Sequence, residues 1–272
     1  MEAIPVQTPT PKGAVFEQEA TVSDWDEDYY PPLAIALYDR SIPWMLEAMG
    51  AKPGDLVLDA GCGPGVHSIR AASYGCKVDA IDLSETMLGH ARARAEAAGV
   101  ADKITFNQAN LVEYSPEQPY QFVFNWGVII HVPQIDEAIE NLANAVAPGG
   151  SLALQLVMEG SADFMLERLV RKLLGKPLKE RQKTNLGTGN WYTMNDERLW
   201  VLRFNLADLD ARMASYGFTR VARRACEATE HQRRLTGWTR NILLRLNDVV
   251  SRFNILPGLA STQILIYRKA QD

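Results

Sequence analysis

The sequence predicts an α/β fold, a parallel sheet with helices on both faces. Two observations predict it. Between residues 55 and 157, short apolar runs of strand character alternate with segments whose apolar residues recur at helical spacing. The first run, Val57-Leu58-Asp59-Ala60, breaks into Gly61-Cys62-Gly63-Pro64-Gly65, the kind of junction at which a strand passes through a tight turn into a helix. The composition agrees with a soluble globular chain: 272 residues, 47% hydrophobic and 22% charged, are ample for a sizeable core.

Residues 1–23 carry Pro5, Pro9 and Pro11 without sustained periodicity and are expected to be a loose arm. The acidic, aromatic cluster at 24–30 reads either as a solvated lead-in to a helix or as a lid over the glycine loop, with Tyr29 or Tyr30 touching a ligand. After Pro31-Pro32, residues such as Leu37, Ile42, Met45 and Met49 keep near-helical spacing. Strands are expected at 56–60, 77–81, 104–108, 121–125 and 152–157. Helices fall between them at 66–74, from the N-cap Ser84 to the stop Gly99, and along Ile135, Ile139, Leu142 and Val146. Residues 159–203 break the alternation with a basic run (Arg168, Arg171, Lys172, Lys176, Lys179, Arg181, Lys183). A Gly/Asn-rich turn at 185–190 and Trp191-Tyr192 follow. A helix at 206–216, a strand at 218–223, an amphipathic helix around 238–253 and a strand at 263–267 complete the chain. The organisation expected is an arm or lid over 1–30 and one domain over 31–272, with cap insertions at about 159–203 and 226–260.

A net charge of −5 argues against a nucleic-acid partner. Three cysteines, an odd number without metal-ligand spacing, suggest free thiols in a reducing compartment. With no signal-peptide core and no apolar run long enough to span a bilayer, the expected location is the cytoplasm.

The glycine loop has three candidate ligands, which neighbouring residues separate. A dinucleotide loop wants a small residue at the position held by Val66, and a phosphate-binding loop wants Lys-Ser/Thr after its second glycine, which is missing. Asp59, two residues before Gly61, suits an ammonium group and would repel a pyrophosphate. Asp82, 21 residues after Gly61, ends the second strand where a carboxylate can accept both hydroxyls of a ribose. A ribose, an ammonium group and no pyrophosphate describe S-adenosylmethionine.

Residues 57–65, Ala80-Ile81-Asp82-Leu83-Ser84, Gln108-Ala109-Asn110-Leu111, 124–132 and 147–154, in this order, resemble the class I S-adenosylmethionine-dependent methyltransferases. The likeness is greatest to small-molecule enzymes of quinone biosynthesis and natural-product pathways. The resemblance implies a Rossmann-like sheet of seven strands, order 3-2-1-4-5-7-6, the last antiparallel. It implies that Asp59, Gly61, Cys62, Gly63 and Gly65 line the methionine end and that Asp82 binds the ribose. Leu83 and Met87 would flank the adenine, and Ala109, Asn110 and Leu111 would form the loop at its amino edge. Asn125 would offer a backbone carbonyl to the ammonium group, with Trp126 beside it. Asn110 stands where the family often has Asp, and its carbonyl oxygen can still accept from the adenine amine.

Transfer of a methyl group from a sulfonium relies chiefly on positioning, and a hydroxyl acceptor also needs a base. His131, after the fourth strand, is the candidate base and Tyr30 a second catalytic candidate, with His231 behind them. His67 and His90 read as structural or solvent-facing. The run Asn125-Trp126-Gly127-Val128 holds no carboxylate for magnesium, so no metal is expected. Trp126, Trp191 and Tyr192 read either as an aromatic wall for a flat substrate or as core. The expected function is metal-independent methylation of a small molecule at a hydroxyl oxygen, by in-line displacement, with S-adenosylhomocysteine as co-product. Nitrogen, carbon or lipid-chain acceptors, and a catalytically idle cofactor-binding partner protein, fit the same residues. The helix around 238–253 reads as a lid on the sheet or as a segment resting on a membrane.

Overall fold

A computed structural model describes residues 14–175 and 181–271. Lys176 and Lys179 of the basic run, and the arm up to residue 13, lie outside the described residues.

Five parallel strands form the centre: β1 (Leu56–Ala60), β2 (Lys77–Asp82), β3 (Ile104–Gln108), β4 (Tyr120–Trp126) and β5 (Val146–Val157). With β9 (Phe218–Glu227) and the antiparallel β10 (Thr262–Lys269), the order is β3-β2-β1-β4-β5-β10-β9. This is the order the resemblance implies. The central strands read as continuous apolar runs because helices cover both faces. Helices α2 (Pro32–Met49), α3 (Val66–Tyr74) and α4 (Glu85–Ala97) bury Ile42, Met45, Leu46, Ala71 and Leu88 on one face. On the other, α5 (Ile135–Asn144) and α7 (Leu206–Ser215) bury Ile139, Leu142, Leu209 and Met213. Ser84 caps α4, its hydroxyl accepting from Met87 N at 3.0 Å.

Two stretches differ from expectation. The 159–203 segment holds α6 (Ala162–Leu173) and a second sheet of β6 (Gln182–Thr184), β7 (Gly187–Met194) and β8 (Glu197–Phe204). Residues 187–190, expected as a turn, belong to β7. Their glycines make room, since a Cβ on Gly189 would sit 1.9 Å from the Trp200 ring. The arm carries a 3-10 turn, Ala14–Glu17, and a helix α1 (Glu19–Tyr29). Both are held to α4: Ser84 Oγ donates to the Phe16 carbonyl at 2.9 Å, and Arg94 Nη2 donates to both carboxylate oxygens of Asp26, at 2.9 and 2.7 Å. Helix α8 (Gly237–Phe253) lies against α2 and β9.

Candidate active site

A cleft of about 1430 Å³, counting its solvent-open mouth, lies along the carboxyl ends of the strands. The glycine loop forms one wall. Gly61 and Cys62 donate backbone N–H groups to the Ile81 carbonyl at 2.8 and 2.9 Å, which fixes the loop on β2. Gly61 has φ +92°, and a Cβ there would lie 2.5 Å from Val128 Cγ1. Asp82 is aimed by two backbone donors: Gly63 N reaches Oδ2 at 2.8 Å and Ser84 N reaches Oδ1 at 2.9 Å. Each carboxylate oxygen has a second lone pair for a ligand hydroxyl. Burial pushes the Asp82 carboxyl up, and the backbone donors offset part of that rise.

Asp59 lines the same wall and is 1% exposed. Burial pushes its carboxyl up to about 7, although the Ser68 hydroxyl donates to Oδ2 at 2.6 Å and opposes the shift. A buried carboxyl whose partner is a neutral hydroxyl suits a ligand bearing an ammonium group, which would supply the opposite charge. Around the corner, Leu83, Met87, Ala109, Asn110 and Leu111 make an apolar slot with one amide. Asn110 Oδ1 accepts from Val112 N at 3.1 Å, which fixes the amide at the slot's edge. Gly-cradle, buried carboxyl, ribose-type acid and apolar slot together fit an amino-acid nucleoside, S-adenosylmethionine among them. Among the described residues no group of three or more His, Cys, Asp or Glu is placed to hold a metal ion.

The other half of the cleft is aromatic and ionic. The Trp126 ring lies 4.6 Å from His67 and 6.0 Å from Tyr38, centroid to centroid. Opposite them, Glu227 at the end of β9 and Thr262 at the start of β10 share one strand edge, because β10 runs against its neighbours. Arg233 ties Glu227 at 3.2 Å to Glu230 at 2.9 Å, and Thr262 Oγ1 donates to Glu227 at 3.2 Å. His131 stands between the halves. Its Nδ1 lies 2.9 Å from the Trp200 carbonyl, so Nδ1 carries the proton and Nε2 is the basic nitrogen. Burial pushes the imidazole below its ordinary value, which keeps it neutral at pH 7. Phe16 and Trp25 roof the cleft, their rings 5.7 Å apart.

Of the residues expected at the site, Asp59, Gly61, Cys62, Gly63, Asp82, Leu83, Met87, Ala109, Asn110, Leu111, Trp126 and His131 come together on this cleft. Four expectations need correction. Tyr30 is 44% exposed beneath the Arg94 guanidinium, away from the cleft; the arm presents Trp25 there instead. Gly65 does not line the cleft but faces α4, where a Cβ would meet Ala91 Cβ at 2.8 Å. Asn125, expected to offer its backbone carbonyl, does not line the cleft, and its side chain turns inward, donating to the Ala60 carbonyl at 2.5 Å and accepting from Ile129 N at 3.2 Å. His67, expected as structural or solvent-facing, is not solvent-facing: it is buried along the cleft, packed on Tyr38 and Trp126, and burial holds it neutral. Trp191 packs on Trp200 at 5.2 Å within the hairpin and leaves the aromatic wall to Trp126. Nothing in the sequence marks Glu227, Glu230 and Arg233 among other charged residues; the β9–β10 pairing brings Glu227 to the cleft and the turn after β9 brings Glu230 and Arg233.

Residues 57–150 match a family described as Methyltransferase domain. A ubiquinone biosynthesis O-methyltransferase of Bordetella bronchiseptica is 34% identical over 144 residues, covering 52% of this chain and 58% of that protein. A trans-aconitate 2-methyltransferase of Methylobacterium nodulans is 32% identical over 158 residues, covering 57% of this chain and 58% of that protein. The match thus spans a little over half the length of these curated relatives. The crystal structure of a magnesium protoporphyrin IX methyltransferase from Synechocystis with bound S-adenosylhomocysteine superposes with a TM-score of 0.62 at 19% identity, over 94% of this chain and 97% of that one.

Proposed function

From a chain whose residues 57–150 carry a methyltransferase domain, we propose that this protein moves a methyl group from S-adenosylmethionine to a hydroxyl oxygen of a small molecule, without metal. One observation carries the reading. A buried carboxyl, a glycine cradle and a ribose-type acid stand at the ends of adjacent strands, with a neutral histidine across the same cleft.

Asp59 would hold the ligand's ammonium group, Asp82 its ribose hydroxyls, and the slot of Leu83, Met87 and Leu111 its adenine. Bound there, S-adenosylmethionine supplies a methyl carbon already activated by the sulfonium charge. The chain's share is positioning, exclusion of water and one proton transfer. Trp126 and Tyr38 offer π-faces at the acceptor end. His131 Nε2 takes the hydroxyl proton in an in-line displacement, its tautomer set by the Trp200 carbonyl. The O-methyltransferase relative supports oxygen as the acceptor atom.

The test is turnover of S-adenosylmethionine by purified protein against a panel of phenols, carboxylic acids and amines, followed by mass spectrometry. Equal amounts of S-adenosylhomocysteine and an O-methylated product, undiminished by a chelator, are expected. Methylation only at nitrogen or carbon would overturn the choice of oxygen. Tight cofactor binding with no turnover on any acceptor would assign the chain to an idle, cofactor-binding role.

A further inference from the structure

Helix α8 is inverted. Leu244, Asn247 and Ser251 form its buried side, and Asn247 bonds the Thr229 backbone in both directions at 3.1 Å. Trp238, Ile242, Leu246, Val249 and Phe253, spaced by 4, 4, 3 and 4 residues, form one outward stripe. Trp238 is 74% and Phe253 67% exposed. Amphipathic helices of soluble folds turn such a stripe to the core.

Helix α6 repeats the pattern. Phe164 is its buried anchor, while Leu166, Leu169, Val170 and Leu173 face outward, Leu173 at 76% exposure. Helix α6 meets the turn before α8, where Glu230 N donates to Asp163 at 3.3 Å. That turn also carries Arg233 into the cleft. The turn that adjoins both helices therefore borders the mouth of the cleft.

The charges beside the stripes select the occupant. The chain carries −5 overall, yet Arg168, Lys172, Arg234, Arg245 and Arg252 are exposed along these elements. The nearby acids Glu167 and Asp248 are paired, with Arg171 and Arg40. A second copy docking through the same patch would set these cations against their own kind. An anionic phospholipid surface satisfies both features, taking the apolar side chains below the headgroups and the cations at them.

We propose that α6 and α8 dock this protein on an anionic phospholipid surface, with the acceptor end of its cleft beside the lipid.

Co-sedimentation with vesicles of phosphatidylcholine alone, or mixed with phosphatidylglycerol, tests this without any methyl transfer, so the enzymatic reading stands or falls separately. The mixed vesicles should bind the full chain and the neutral ones should not. Arg245→Gln with Arg252→Gln should weaken binding roughly 25-fold, about fivefold per charge. Trp238→Ser with Phe253→Ser should abolish it; both positions are exposed, and an unchanged melting temperature would verify the fold. As a second readout, the Trp238 emission should shift to the blue on the mixed vesicles and lose that shift in Trp238→Phe. Absence of binding, equal binding to neutral vesicles, or unaltered binding by the folded variants would overturn the proposal. A dimer dissolved by the Trp238/Phe253 substitutions, in a chain that ignores vesicles, would assign the face to a second copy.

Discussion

Replacing Asp59 by Asn should raise stability while weakening the site. In the free protein burial pushes this carboxyl from 3.8 to about 7, at 1% exposure. The unfolded chain releases the proton near the ordinary value, and the folded chain keeps it until about pH 7. Stability therefore falls as pH rises from about 4 to about 7 and stays at the lower level above that. A rise of about 3 pKa units, at 1.36 kcal/mol each, gives a destabilisation of the order of 4 kcal/mol at pH 8. Asn keeps an oxygen for the Ser68 hydroxyl and carries no charge. The variant should thus gain about 2–4 kcal/mol over wild type at pH 8 and almost nothing at pH 4. A ligand ammonium reverses the preference by favouring the ionised carboxylate. Wild-type affinity for S-adenosylhomocysteine should rise about tenfold between pH 6 and 8, whereas Asp59→Asn should bind weakly and nearly independently of pH. Denaturant melts at pH 4 and 8 and calorimetric titrations at pH 6 and 8 read both effects. Equal stabilities at pH 8, or the same pH dependence of affinity in both proteins, would refute the assignment of Asp59.

Three further substitutions probe two residues of the cleft and the packing of the loop that walls it. Asp82→Ala should weaken S-adenosylhomocysteine binding by about 1–3 kcal/mol through lost ribose bonds, read by calorimetry; unchanged affinity would remove the ribose from that carboxylate. His131→Ala should lower turnover by about 10²–10⁴-fold without changing cofactor affinity, and wild-type turnover at saturating cofactor should fall only on the acid side of the ordinary imidazole range, as His131 takes its proton. A variant that turns over normally would exclude His131 as the base. Gly65→Ala should destabilise the fold by about 1–3 kcal/mol, since φ is +81° and its Cβ would lie 2.8 Å from Ala91 Cβ; a wild-type melting curve would contradict that packing.

The parts of this molecule legible in its sequence are those whose signals are local. Ser84 marks a helix start by its own hydroxyl, Gly75 and Gly99 mark helix ends, and the buried parallel strands are unbroken apolar runs. The cofactor half of the cleft shares this property, since Asp59 to Gly63 and Asp82 sit at the ends of successive strands. The aromatic and ionic half depends on contacts between distant residues. Glu227 and Thr262 meet only because β10 runs antiparallel beside β9, and His67 turns inward only because Tyr38 and Trp126 surround it. Gly187 and Gly189 read as a turn until Trp200, on the paired strand, is seen to need the space. Trp25 rather than Tyr30 reaches the cleft because α1 lies on α4 through the Asp26–Arg94 pair, a register that the cluster at 24–30 does not disclose.

The identity of the ligand in the glycine cradle is the claim on which the rest depends. Isothermal titration of the full chain with S-adenosylhomocysteine and, separately, with a reduced nicotinamide dinucleotide tests it most directly. Saturable one-to-one binding of S-adenosylhomocysteine, weakened in Asp59→Asn and Asp82→Ala, with no heat from the dinucleotide, is the predicted result. Binding of the dinucleotide in preference, or S-adenosylhomocysteine affinity indifferent to both carboxylates, would contradict it.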